Sequence, residues 1–312
     1  MTLPDEFVEL AARVSNWGRW GDDDEIGTLN LIDGDAVRRG AGAVRSGKRF
    51  SLAVRLDQHS PQIGSIPGRI NPLHAMVAIN TQYQGTPDGF CTSDDIVTMG
   101  LQAATHWDAL SHVSYGGKLY NGFPASSITP EAGASRCGIS KITTLVSRGV
   151  LLDVARALGR ERLGGGYGIT PDDLDAALAL GGHGLEIEAG DVLLVRTGNM
   201  QLYRARDRQT YTGGHQPGLT MATAQWFRER DVAAVATDNV AFEVYPGERD
   251  DVLFPLHLLH LRDMGMTQGQ NFDLEALSVD CAADGVYQFL LDASPLPFTG
   301  AVGSPVNPVA IK

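Results

Sequence analysis

Apolar residues first recur at helical spacing at Phe7, Leu10, Ala11 and Val14, which predicts a short amphipathic helix. Residues 17–34 are glycine-rich and read as irregular. Asp33 is placed to cap a helix from Ala36 to Val44 that stops near Ser46-Gly47. Arg49 to Leu56 alternates apolar and polar positions and reads as a strand. Residues 57–100 are polar and rich in Gly, Pro and Asp, with short extended pieces such as His74 to Ile79. The middle of the chain alternates buried-strand and helix patterns. The runs 149–154, 191–196 and 232–237 each hold a short apolar stretch, as in strands covered on both faces. Thr170-Pro171-Asp172-Asp173 is a helix start, with Thr170 as cap, Pro171 first in the helix and Asp173 in the capping-box place; this helix runs to about Leu180. Thr220 is read as the cap of a second helix through Arg230. Gly285 to Leu291 adds a strand, and Ser294 to Lys312, with four prolines, reads as an extended surface wrap. This alternation predicts an α/β layer structure.

Composition narrows the class. Asp plus Glu is 37 and Lys plus Arg is 25, a formal balance of −12 over 312 residues. Clustered cations, which polyanion binding requires, are not a feature of such a chain, so no nucleic-acid partner is expected. No apolar run approaches the roughly 18 residues of a membrane span. The start of the chain is acidic and unlike a secretory leader, so a cytoplasmic location is expected. Cys91, Cys137 and Cys281 are far apart and odd in number, which suits reduced thiols rather than disulfides. His59, His74, His183 and His215 are isolated and carry no motif.

One segment concentrates chemistry: residues 101–113, LQAATHWDALSHV. Gln102, His106, Asp108 and His112 occupy even positions, so a continuous strand would present all four on one face. An imidazole, a carboxylate, an amide oxygen and a second imidazole together suit a divalent cation, whose bound water becomes acidic near neutral pH. Taken alone, the same residues equally suit a hydrogen-bonded polar core. Asp238 and Glu243 follow the 232–237 strand, where α/β folds place ligand sites. A helix cap and a surface carboxylate are their competing roles. Trp17, Trp20, Trp107, Tyr120 and Asn121 are candidate pocket walls, with core packing the alternative.

The 102–112 motif resembles the signature of the metal-dependent cyclase family, which includes bacterial kynurenine formamidases and isatin hydrolase, H-x-G-T-H-x-D-x-P-x-H. Thr105, His106, Asp108 and His112 match it; Gln102 stands at the first His, Ala104 at Gly and Leu110 at Pro. Segments 17–31, 149–154, 190–198, 217–220, 237–246 and 303–311 extend the resemblance to the family's longer branch. The resemblance implies a swivelling β/β/α fold, a mixed sheet covered by helices, in one catalytic domain over 1–312 with 1–48 as an N-terminal extension. It implies that His106 and Asp108, joined by Gln102, are ligands of one divalent metal, Mn or Zn. The weaker amide donor favours Mn. His112 is the implied acid/base. The family's downstream His maps to His257, with His260 as the alternative, and its Glu or Gln to Gln270.

The leading expectation is a metal-dependent hydrolase acting on an amide, formamide or lactone carbonyl of a small substrate. A cyclase or dehydratase without net hydrolysis is one alternative, and a binding protein on a degenerated metal site is another. By resemblance, the expected partner is a second copy of the chain, in a homodimer or homotetramer.

Overall fold

The structure, a computed structural model, describes residues 3–182 and 184–312; His183 lies outside the described residues. Helix α1 covers Asp5–Val14 and buries Phe7, Leu10, Ala11 and Val14, the stripe its spacing predicts. Helix α2 covers Gly34–Ala43, and the Asp33 carboxylate accepts from the amides of Asp35 and Ala36. The strands that build the sheet and its ribbon are β1 (Arg49–Ser51), β2 (Leu73–Gln82), β3 (Cys91–Thr98), β4 (His106–Asp108), β5 (Val146–Asp153), β6 (Val192–Arg196), β7 (Ala234–Thr237), β8 (Thr267–Gln270), β9 (Gln288–Asp292), β10 (Gly303–Pro305) and β11 (Val309–Ile311). Helices α3 (Pro171–Leu178), α4 (Thr223–Glu229) and α5 (Glu275–Asp284) cover it.

Nine strands form one mixed sheet in the order β1-β11-β9-β5-β6-β7-β8-β4-β10. The central four, β5 to β8, are parallel; β8 pairs antiparallel with β4, and β4 with β10. Side chains alternate between two apolar layers. Val150, Leu152, Leu193, Val195 and Val235 pack against α1, α3 and α4. Leu151, Val192, Leu194, Ala234 and Ala236 pack with Leu277 and Cys281 of α5. This is why β5, β6 and β7 carry consecutive apolar residues rather than an alternating pattern.

Several expectations change. The strand at Arg49 is three residues long, because the chain leaves the sheet edge to hand the Val54 amide to Thr105 Oγ1 at 2.9 Å. Thr220 is not a helix cap: its hydroxyl donates to Ile169 O at 2.7 Å, and α4 starts at Thr223. The C-terminal stretch is not a surface wrap, since β10 and β11 are integral strands of the sheet. Residues 73–98 form a long two-stranded ribbon instead of short extended pieces. The three cysteines are unpaired, with Cys137 and Cys281 buried. Among the described residues, no helix is long and apolar enough to cross a membrane.

The ends of the parallel strands are tied by one carboxylate. Asp238, just after β7, accepts from Thr197 N (2.8 Å), Thr197 Oγ1 (2.6 Å) and Gly198 N (2.8 Å), just after β6. It is fully buried, and burial pushes its carboxyl up to about 6 despite Arg196 and these donors. Asp238→Ala leaves three buried donors unpaired and is expected to lower stability by about 2–4 kcal/mol in urea unfolding. Between the ordinary carboxylate range and about pH 6 the folded state holds a proton that the unfolded state lacks. The carboxyl's contribution therefore shrinks as pH rises through that window, and the gap between variant and wild type is expected to be larger near pH 5 than near pH 7.

Candidate active site

The strand carrying the motif is short. Only His106, Trp107 and Asp108 are extended; Gln102 lies in the turn before them and His112 in the turn after, where its amide donates to Ala109 O at 2.8 Å. The single face expected of a continuous strand is therefore replaced by a three-residue strand flanked by turns. Backbone alternation still separates roles within β4. His106 and Asp108 face one side, opposite Gln270 and Gln268 of β8 and Pro305 and Gly303 of β10. Trp107 points to the other side, where its ring meets Phe272 at 5.2 Å and its indole donates to Ala293 O at 2.8 Å. Gly269 allows this, because a Cβ there would come within 2.8 Å of the indole ring.

His106 and Asp108 are buried. His106 Nδ1 is 2.7 Å from Ala104 O, which fixes Nδ1 as the protonated nitrogen and leaves the Nε2 lone pair free. That Nε2 stands 3.5 Å from Asp108 Oδ1, and His112 Nε2 stands 3.7 Å from the same oxygen. Asp108 Oδ2 accepts from Gln270 Nε2 at 2.9 Å. Asp108 Oδ1 and Gln270 Oε1 are buried without a hydrogen-bond partner. Burial raises the Asp108 carboxyl, but His112, His106 and His257 outweigh it and hold it well below the usual carboxylate range. Burial is also the largest influence on His112; with His257, Arg69 and His106 it outweighs Asp108 and keeps that imidazole below its ordinary value. At neutral pH the pair is thus an ionised Asp108 beside a neutral His112.

Glu243 organises the second part. It accepts from Leu256 N (3.1 Å), His257 N (3.0 Å) and His257 Nδ1 (2.5 Å). His257 Nδ1–H is thereby committed, and Nε2 is left for other work. Glu243 gets there because Gly218 lets its backbone approach closely: a Cβ on Gly218 would lie 2.3 Å from the Glu243 carbonyl carbon. His112 and His257 both line a cavity of about 760 Å³, with Arg69, Tyr245, Leu253 and Phe254 among its other walls.

The structure separates the remaining candidates. His260 is fully buried, with both ring nitrogens unpartnered, and packs edge-on against Phe227 and Phe242. Of the two downstream histidines, His257 reaches the cavity. Tyr120 is also buried away from it; its hydroxyl donates to Asp24 at 2.9 Å and its ring covers Gly265. Trp17 donates to Arg262 O, Trp20 lies under Arg19, and Asn121 ties down the carbonyls of residues 21, 22 and 24. None of Trp107, Tyr120, Trp17, Trp20 and Asn121 lines the cavity beside His112. Asp238 acts on the strand ends as described. Gln102 has its amide nitrogen buried without a partner, against Gly303, the residue opposite Asp108. Arg69, Tyr245 and Phe254 are cavity residues that no sequence pattern singled out.

The donor set fits a divalent cation. Two ligands about 2.1 Å from a tetrahedral ion sit roughly 3.4 Å apart, close to the His106–Asp108 separation. The unpartnered Asp108 and Gln270 oxygens are what an ion would satisfy. Among the described residues, no group of three His, Cys, Asp or Glu side chains is arranged to hold a metal by itself.

The Cyclase family model, described as Putative cyclase, matches residues 50–244, a span that holds His106, Asp108, His112 and Glu243. The chain belongs to the cyclase family. A crystal structure described as a novel cyclase is 38% identical, with a TM-score of 0.86 over 97% of this chain and 99% of that one. Isatin hydrolase A from Labrenzia aggregata is 21% identical, with a TM-score of 0.62 over 86% of this chain and 94% of that chain. A potential metal-dependent hydrolase with cyclase activity is 16% identical, with a TM-score of 0.53 over 84% of this chain and 98% of that chain. These last two share the fold. No curated protein matches this sequence.

Proposed function

We propose that this cyclase-family chain is a metal-dependent hydrolase that opens an amide, formamide or lactone bond of a small substrate. The observation that carries the reading is the meeting of two imidazoles on an unpartnered, buried carboxylate oxygen, with one of those imidazoles facing a cavity. The neighbours named isatin hydrolase and metal-dependent hydrolase support it.

His106 Nε2 and Asp108 Oδ1 would hold the ion, with an amide oxygen of Gln270 or Gln102 completing the set; such oxygen donors favour Mn over Zn. When bound, the ion supplies an acidified water and a Lewis acid for the carbonyl. Gln270 Nε2 grips one Asp108 oxygen and so aims the other. His112, neutral and at the cavity wall, takes a proton from the attacking water and returns it to the leaving nitrogen or oxygen. Glu243 fixes His257 with Nε2 available to a bound substrate.

Turnover of N-formyl aromatics, cyclic amides and lactones in ¹⁸O water with Mn²⁺ tests this. A product carrying one added ¹⁸O is expected. The name of the 38% identical relative favours one second reading, cyclisation without net hydrolysis, and a product without added water would establish it instead.

We also propose that the partner is a second copy of this chain, and that residues 1–312 act as one catalytic unit. The ribbon β2–β3 is the basis for the pairing: Leu73, Val77, Ile79, Ile96 and Val97 are all exposed, and a free two-stranded ribbon is marginal in water. Light scattering is expected to give a dimer or tetramer, and Val77→Lys with Ile79→Lys is expected to give monomer.

A further inference from the structure

The cavity beside His112 carries one charged side chain, Arg69, that the proposed hydrolysis does not employ. Arg69 lines it and is half-buried. Among the described residues, its guanidinium makes no hydrogen bond and faces no carboxylate within salt-bridge distance; the backbone amide alone is engaged, with Ile66 O. Other half-buried arginines are engaged: Arg39, Arg136, Arg228 and Arg262 face Glu188, Glu25, Asp231 and Asp263, and Arg162 and Arg208 donate to the carbonyls of Leu163 and Ser60. A chain with 37 acidic residues has ample means of pairing Arg69, yet no Asp or Glu lines this cavity. A partly desolvated guanidinium is costly to leave unmatched, and its planar fork suits a carboxylate. Arg69 shares this cavity with His112 and His257, so its charge faces the same space as their imidazoles.

The opposite chemistry is also built in. Tyr245 and Phe254 stack with centroids 6.0 Å apart, and Phe254 leans on His257 at 5.3 Å. Leu253, 74% exposed, and Ile66 extend this apolar lining.

We propose that Arg69 is a specificity residue that binds a carboxylate of the substrate, so the substrate class is a small aromatic acid carrying the scissile amide or lactone. The inference rests on the hydrolase reading of the same cavity. Its test does not need turnover. Calorimetry compares 2-aminobenzoate with its neutral isostere 2-aminobenzamide on Mn²⁺-loaded and metal-free protein. Wild type is expected to bind the acid at least about 10-fold more tightly in both forms, Arg69→Gln to lose that preference, and Arg69→Lys to keep part of it. An acid preference that survives Arg69→Gln, or no preference in wild type, overturns the proposal. Failure of the hydrolase reading would show separately, as no turnover of any carbonyl substrate while the Arg69-dependent preference persists.

Discussion

Asp108→Ala is expected to remove the bound metal ion and lower kcat/KM by on the order of 10³-fold or more. The magnitude follows from the several kcal/mol that an ion contributes to charge stabilisation, at about 1.4 kcal/mol per tenfold. Asp108 is the point on which His106 and His112 converge, so no neighbouring group can replace it. The alanine variant also frees Gln270 Nε2 in a buried place, which costs about 1–3 kcal/mol of stability. Asp108→Asn controls for that cost, because its amide keeps an acceptor for Gln270 while removing the charge. Elemental analysis and thermal melts together check the prediction. Near-native melting with metal below a tenth of stoichiometry is expected for Asp108→Asn. Full metal and activity in that variant would overturn the ligand assignment.

His112→Gln is expected to behave differently. Its side chain, 19% exposed, sits between the buried carboxylate and the cavity. Loss of a positioned acid/base lowers kcat by about 10²–10⁴-fold. The variant should keep its metal, because His106 and Asp108 are untouched, and should keep the preference for 2-aminobenzoate over 2-aminobenzamide, because Arg69 is untouched. Parallel measurement of metal content and kcat checks this. Metal lost in step with activity would make His112 a ligand instead of a proton carrier.

Much of the centre of the fold was legible because its strands are covered on both faces and its helices carry local signals. The Thr170–Asp173 capping box is present as read. The C-terminal strands were not legible: four prolines from Ser294 onward suggested a loop, but Pro305 and Pro308 sit where the backbone tolerates them, at a strand end and between β10 and β11. The ribbon of residues 73–98 escaped because neither of its faces is buried against the body, so no apolar alternation marks it.

The site divides in the same way. His106 and Asp108 share a face because they are two apart in a strand, and that same periodicity turns Trp107 into the core. His112 arrives through a turn, which spacing alone does not specify. Choosing between His257 and His260 required the structure, since a step of three positions along the helix leads from a cavity wall to an apolar core. Arg69 had no signal at all. It lies in a polar segment, and its significance comes from the missing partner, a property of the folded chain.

His106 and Asp108 are proposed to hold a divalent ion between them. Anomalous diffraction at the Mn absorption edge, from crystals of protein purified without chelator and loaded with Mn²⁺, tests it most directly. The account predicts one strong peak within coordination distance, about 2.0–2.2 Å, of both His106 Nε2 and Asp108 Oδ1. A fully loaded crystal with no peak between those atoms, or with its peak elsewhere, would contradict it.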